Sequence, residues 1–317
     1  MSAPPLILGA GAFGTALAVA LAGRGPVDLW ARAPEALRAT RASPHLPGIS
    51  LPDRVRVLDR VPDAGAGPVL VAVPMKALAG VLAAHRPALA GRAVIACCKG
   101  VDPQTLGGPA TLIATHCPEA RPALLSGPGF AADIARGLPT ALTLACADDG
   151  LGGVLQAALS TPALRLYRST DVIGVELGGA LKNVIAIAAG MVMGAGLGES
   201  ARAALMTRGY AEMVRIALRI GASAETLAGL SGLGDLVLTC TSDKSRNFRH
   251  GLALGAGTEA EPGATVEGIA TAAGALGLAG RHGLELPVTA MVAAVTGGRL
   301  TVAEAVERLM SRPLRQE

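Results

Sequence analysis

Apolar residues fall along this chain in two rhythms. Over the first half, short apolar runs alternate with Ala/Leu-rich stretches of helical spacing. Leu6-Ile7-Leu8, Val27-Asp28-Leu29-Trp30, Val55–Leu58, Val69–Val73, Ala93–Cys97, Ala123–Ser126, Thr140–Ala145 and Leu164–Tyr167 read as strands. Helical patterns follow the first run to about Gly23 and cover Met75–His85. Strands that alternate with helices predict a parallel, doubly wound sheet. After Tyr167 the rhythm changes. Ser169-Thr170-Asp171 forms a helix N-cap cluster, and helical patterns run at roughly 172–193, 200–220, 223–230, 245–255, 265–282, 288–296 and 301–311. The expected architecture is an α/β Rossmann-type doubly wound sheet over residues 1–168, followed by an all-α C-terminal domain over 169–317.

Composition narrows the class. The chain is 51% hydrophobic and 16% charged over 317 residues, which is enough apolar material for two cores. Its net charge of +4 is spread without dense Lys/Arg blocks, and aromatics are only 2%, so base stacking and nucleic-acid binding are not expected. A small anionic ligand suits the mild basic excess better. The five cysteines show no metal-ligand spacing and read as reduced, buried thiols; the histidines stand too far apart for a metal site. Pro5–Gly23 is uncharged, but no basic segment precedes it, and Asn183–Gly198 is uncharged over 16 residues, too short to span a bilayer. A cytoplasmic protein without integral membrane association is expected.

Chemistry enters at a few places. Gly9-Ala10-Gly11-Ala12-Phe13-Gly14 lies between a strand and a helix, the setting a dinucleotide-binding turn requires. With 42 glycines in the chain the spacing alone is weak, and the setting carries the reading. At the end of the second strand an Asp or Glu would favour NAD, whereas Arg32 can pair a 2′-phosphate, unless it is a solvated surface residue; NADPH is favoured and NADH admitted. Only four of the 28 basic Lys and Arg residues are lysines. One of them, Lys182, sits in the apolar run Gly178–Ile187. A buried amine there can give up a proton as Arg cannot, although a lysine snorkelling at a helix edge fits the same pattern. Lys99 follows the Ala93–Cys97 strand, and Ser126-Gly127-Pro128-Gly129-Phe130 follows the next. Asp235 is an acid in an apolar run, so it needs a cationic or donor partner. Ser245, Arg246 and Asn247 form a compact donor set at a helix start, suited to a phosphate or else a solvated basic face.

Taken in order, these segments resemble the bacterial-type NAD(P)-dependent glycerol-3-phosphate dehydrogenases. The matching residues are Gly9–Gly14, Lys99-Gly100, Ser126–Ala131, Gly178–Asn183, Gly232–Leu236 with Cys240-Thr241, Ser245–Asn247 and Val266-Glu267-Gly268. The resemblance implies reversible reduction of dihydroxyacetone phosphate to sn-glycerol 3-phosphate for glycerophospholipid synthesis. It implies catalytic roles for Lys182, Lys99 and Asp235, with Lys182 as general acid and base. It places substrate on Lys99, Gly127, Gly129, Lys182, Asp235, Ser245, Arg246 and Asn247. It places cofactor along Gly9, Gly11, Ala12, Phe13, Gly14, Arg32, Lys99, Ala131, Arg246, Val266 and Glu267. A homodimer is compatible with it. Gly178 and Gly179 would keep the helix surface low for an approaching ligand. Two residues depart from the family pattern: Ala12 stands where Ser is common, and Gly129 where a Ser or Thr often reaches the substrate. Competing readings are a β-hydroxyacid or 6-phosphogluconate-type dehydrogenase, and an NADPH-binding sensor without turnover.

Overall fold

The computed structural model describes residues 3–62, 65–263 and 265–311. It resolves into two compact units. One runs from the N-terminal side to Lys99 and resumes over Gly107–Glu176; the other comprises Gly100–Leu106 and the chain from Leu177 onward. The 168/169 division expected above falls within the last strand, and the seven residues 100–106 join the second unit.

The first unit contains β1 (Leu6–Leu8), α1 (Ala12–Ala22), β2 (Val27–Trp30), α2 (Glu35–Thr40), β3 (Val55–Leu58) and β4 (Val69–Val71). It continues through α3 (Met75–Ala84), α4 (Arg86–Leu89), β5 (Ala93–Ala96), α5 (Pro109–His116), β6 (Arg121–Ser126) and α6 (Ala131–Ala135), and ends with β7 (Thr140–Ala145), α7 (Asp149–Leu159) and β8 (Leu164–Ser169). The eight strands form one sheet in the order β3-β2-β1-β4-β5-β6-β7-β8. Adjacent side chains on β1 feed opposite faces. Ile7 joins one apolar cluster with Leu17, Leu29 and Ile95; Leu6 and Leu8 join another with Val71, Leu78 and Val94. Helices therefore cover both faces, as the pattern predicts. The sheet departs from all-parallel at one join, where β6 and β7 pair antiparallel. The link between them holds only the five-residue α6.

The second unit is built on α8 (Val172–Gly194), whose residues from Leu177 onward belong to it, with α9 (Glu199–Arg219), α10 (Ala224–Ala228), a π-helical turn at Leu230–Gly234 and α11 (Asp235–Cys240). The remaining helices are α12 (Arg246–Ala256), α13 (Glu267–Arg281), α14 (Pro287–Thr296) and α15 (Val302–Met310). The π turn and α11 are absent from the sequence expectation, because two glycines and a serine among five residues leave no helical periodicity to read. Ala180, Leu181, Val184, Ile185 and Ile187 on α8 anchor the core, each large side chain worth roughly 1.5–3 kcal/mol of burial. By length and composition the 23-residue α8 could cross a membrane, which the 16-residue uncharged stretch did not suggest; 83% of its most apolar window is buried inside the protein. It reads as a core helix.

Candidate active site

In the first unit the expected cofactor residues gather at the carboxyl ends of β1, β2, β5 and β6, where open α/β sheets bind ligands. The β1–α1 turn is held by close backbone approach. A Cβ on Gly14 would lie 1.9 Å from the Gly9 carbonyl oxygen, so no side chain fits. Gly9 itself has φ of +111°. Gly11, the N-cap of α1, faces open space on its side-chain side, has no side-chain cap, and is followed by no acid in the first turn. Uncapped N–H groups at a bare helix start fit a pyrophosphate, and Ala12 loses little by lacking a hydroxyl. Register sets Leu8 opposite Trp30, so exposed Arg32 follows beside this turn. Phe13, Ala12 and Ala131 are half-buried.

At the neighbouring strand ends Lys99 Nζ donates to the Gly127 carbonyl at 3.2 Å, joining two expected substrate residues. Gly127 has φ of +137°, and a Cβ there would press on the Leu142 backbone at 3.1 Å. Gly129 behaves differently from the expectation. A Cβ on it would point at Leu142, Ile134 and Thr140 side chains, 3.1–3.2 Å away. A side chain here starts toward packed groups of β7 and α6, so this position offers backbone only.

The second unit centres on Lys182, which is buried, as are Asp235 and Thr239. Lys182 Nζ donates to Asp235 Oδ1 at 2.8 Å and to Thr239 Oγ1 at 2.7 Å. Thr239 Oγ1 in turn donates to Asp235 Oδ1 at 3.2 Å. The partner that a buried Asp235 demands is thus Lys182, and the snorkelling alternative is set aside. Thr239, one α-helical turn after Asp235, is the residue sequence reasoning missed. Next to it, burial pushes the Cys240 thiol up to about 12, so it stays neutral and takes no part as a nucleophile. All five cysteines are buried, and none forms a disulfide.

Asn183, beside Lys182, ties this cluster to α12. Asn247 Nδ2 donates to Asn183 Oδ1 at 2.9 Å, and Asn247 Oδ1 accepts from Gly268 N–H at 3.0 Å. Asn247 thereby pins α8, α12 and the start of α13, so its role is more structural than a free phosphate donor. Ser245 caps α12, accepting from Phe248 N–H at 3.2 Å. Arg246 is exposed on the first turn and lines a cleft of about 300 Å³ with Arg249, His250 and Val266. Val266 is the N-cap of α13, and Glu267 its first residue. Gly178, expected to make room for a ligand, instead lets the π turn pack: a Cβ there would meet Ser231 O at 2.9 Å and Gly232 Cα at 3.0 Å.

A doubly wound sheet with a glycine-cradled phosphate turn, together with a helical unit built round a buried lysine–aspartate pair, defines an NAD(P)-dependent oxidoreductase. The profile described as NAD-dependent glycerol-3-phosphate dehydrogenase N-terminus matches residues 6–151, and its C-terminal counterpart matches residues 171–307. Relatives named glycerol-3-phosphate dehydrogenase [NAD(P)+] from Cereibacter sphaeroides and Paracoccus denitrificans are 62% and 57% identical, each alignment covering 98% of this chain and 99% of the relative. The crystal structure of glycerol-3-phosphate dehydrogenase from Coxiella burnetii superposes with a TM-score of 0.91 at 35% identity, over 98% of this chain and 99% of that one. The chain belongs to the NAD-dependent glycerol-3-phosphate dehydrogenase family.

Proposed function

We propose that this chain reduces dihydroxyacetone phosphate to sn-glycerol 3-phosphate, and catalyses the reverse, with NADPH preferred and NADH accepted. It would act in the cytoplasm and supply the head-group precursor of glycerophospholipids. The buried Lys182–Asp235–Thr239 cluster carries this reading, because ketone reduction needs one held proton donor. When bound, the nicotinamide supplies the hydride. Lys182 gives a proton to the ketone oxygen during reduction and takes it back from the alcohol during oxidation. Asp235 and Thr239 hold the ammonium in one orientation. Lys99, anchored on the Gly127 carbonyl, adds a second cation on the substrate.

Arg246, the Ser245 hydroxyl and the α12 N-terminus would take the substrate phosphate, with the uncommitted amide hydrogen of Asn247 beside them. Holding a remote phosphate fixes the geometry at the reacting carbon. The Gly9–Gly14 turn with Ala12 and Phe13, then Arg32, Lys99, Ala131, Arg246, Val266 and Glu267, would line the cofactor. The deciding assay follows NADPH absorbance with dihydroxyacetone phosphate, and with glyceraldehyde 3-phosphate and 3-oxo acids as controls. Turnover confined to dihydroxyacetone phosphate is expected. Faster oxidation with a 3-oxo acid would reassign the chain to the hydroxyacid class, and no turnover with any of them would leave a binding protein.

A further inference from the structure

β2 and β3 pair in register, with Trp30 opposite Leu58. The pairing continues past the strands: Ala31 N–H donates to the Leu58 carbonyl at 3.2 Å, and Trp30 Nε1–H to the Asp59 carbonyl at 3.1 Å. The next residue on each chain is an arginine, Arg32 after Ala31 and Arg60 after Asp59, each just past the end of a paired strand. Both are exposed, and neither side chain makes a hydrogen bond or ion pair among the described residues.

Two acids of β2 and β3 are engaged elsewhere. Asp28 accepts from two nitrogens of Arg56, at 2.7 and 2.9 Å. Asp59 pairs with Arg38 at 3.3 Å and also accepts from the Arg60 backbone N–H. Two guanidinium groups without an ion-pair partner among the described residues thus follow adjacent paired strands at the ligand-binding edge, next to the glycine turn whose Gly9 N–H donates to the Trp30 carbonyl. Like charges held together gain most from a shared dianion, and guanidinium forks match phosphate geometry.

We propose that Arg60 is a second specificity-determining residue, which together with Arg32 grips the 2′-phosphate that separates NADPH from NADH. This rests on the NADPH preference proposed above. Sequence spacing hides the pair, because 28 residues separate the two arginines and only the β2–β3 register brings them level.

The test titrates the full chain with adenosine 2′,5′-bisphosphate and with 5′-AMP by calorimetry, for the wild type, Arg32→Ala, Arg60→Ala and Arg60→Lys. Trp30, the single tryptophan, gives a local fluorescence readout beside both arginines. Arg60→Ala should weaken the bisphosphate about tenfold and leave 5′-AMP within about twofold, with Arg60→Lys in between. The KM for NADPH should rise in step while that for NADH holds. If Arg60→Ala binds the bisphosphate normally while Arg32→Ala does not, Arg60 has no part and the NADPH reading stands. If neither arginine matters, the NADPH reading falls as well. Equal weakening of 5′-AMP by Arg60→Ala would show that Arg60 serves the adenosine or the fold and not the 2′-phosphate.

Discussion

A buried ammonium and carboxylate 2.8 Å apart are a poor way to stabilise a helical core. The desolvation of two ions offsets most of their attraction, and apolar replacements of equal volume often hold a fold as well or better. Lys182 and Asp235 therefore make most sense as chemistry kept at a cost in stability. Lys182→Ala should lower kcat by roughly 10²–10⁴ and also destabilise the fold by about 3–5 kcal/mol, since it leaves Asp235 buried without its ammonium. Lys182→Met combined with Asp235→Leu should restore much of the melting temperature and none of the activity. Should the double variant melt as low as the singles, the pair is not the origin of the loss. Thr239→Val, which keeps the shape and removes the hydroxyl, should cut kcat by about tenfold at nearly constant KM, with Thr239→Ser close to wild type. Asp235 was legible in the sequence because an acid in an apolar run has to find a partner. Thr239 was not, because a β-branched residue in such a run reads as filler. Its only signal was the four-residue spacing from Asp235, which puts both on one helix face.

At the scale of elements, the α8–α12 crossing sets the site. Gly190 and Gly194 on α8 meet Gly251 and Gly255 on α12 at backbone contact. A Cβ on Gly190 would fall 2.1 Å from Phe248 O, and one on Gly251 would fall 2.0 Å from Ile187 O. Small residues four apart on each helix let the backbones touch, and this closeness puts Asn183 within reach of Asn247. Gly251→Ala should cost about 1–3 kcal/mol and raise KM by pulling Arg246 away from its place. Unchanged KM in a destabilised variant would confine the crossing to a structural role. The helices were legible from periodicity, but glycines in a helical run do not say what approaches them. Gly178 was accordingly assigned to a ligand, and the structure gives it to the π turn.

A second element-scale prediction concerns Glu176, which is half-buried and accepts from the Ala110 N–H at 2.8 Å, at the start of α5. Burial pushes its carboxyl from 4.5 up to about 7, only partly opposed by that bond. The folded state therefore holds the proton more tightly than the unfolded chain. The associated stability is fully present below pH 4.5 and is lost as pH rises through about 7, roughly 3 kcal/mol in all. Glu176→Gln keeps the acceptor and cannot ionise. It should raise the melting temperature at pH 8 and leave it nearly unchanged at pH 5; an equal shift at both would show that the carboxyl does not titrate there.

Across the whole molecule, acids are placed at some helix starts and withheld from others. The first turns of α9, α10, α13 and α15 carry Glu199, Glu225, Glu267 and Glu304. Where α5 and α14 lack an acid of their own, Glu176 and Glu212 bring carboxylates from elsewhere: Glu212 accepts from Val288 and Thr289 N–H groups at 2.6 and 3.1 Å. Asp171 does the same for α8 through Gly174 N–H. Like those of α3 and α4, whose first turns also carry no acid, the starts of α1 and α12 have none in the first turn. These two positive helix ends are the ones assigned above to the cofactor pyrophosphate and the substrate phosphate, and an acid at either would repel its ligand. Arg246 strengthens the second of them. Arg246→Ala should raise KM for dihydroxyacetone phosphate by roughly 10–100-fold, with a smaller change in kcat, and the effect should shrink as salt is added. Dihydroxyacetone, which has the same ketone and no phosphate, should react as slowly with the variant as with the wild type. Equal loss on both substrates would mean that Arg246 acts on the reacting centre or the cofactor, and the phosphate would then have to be held from another helix start.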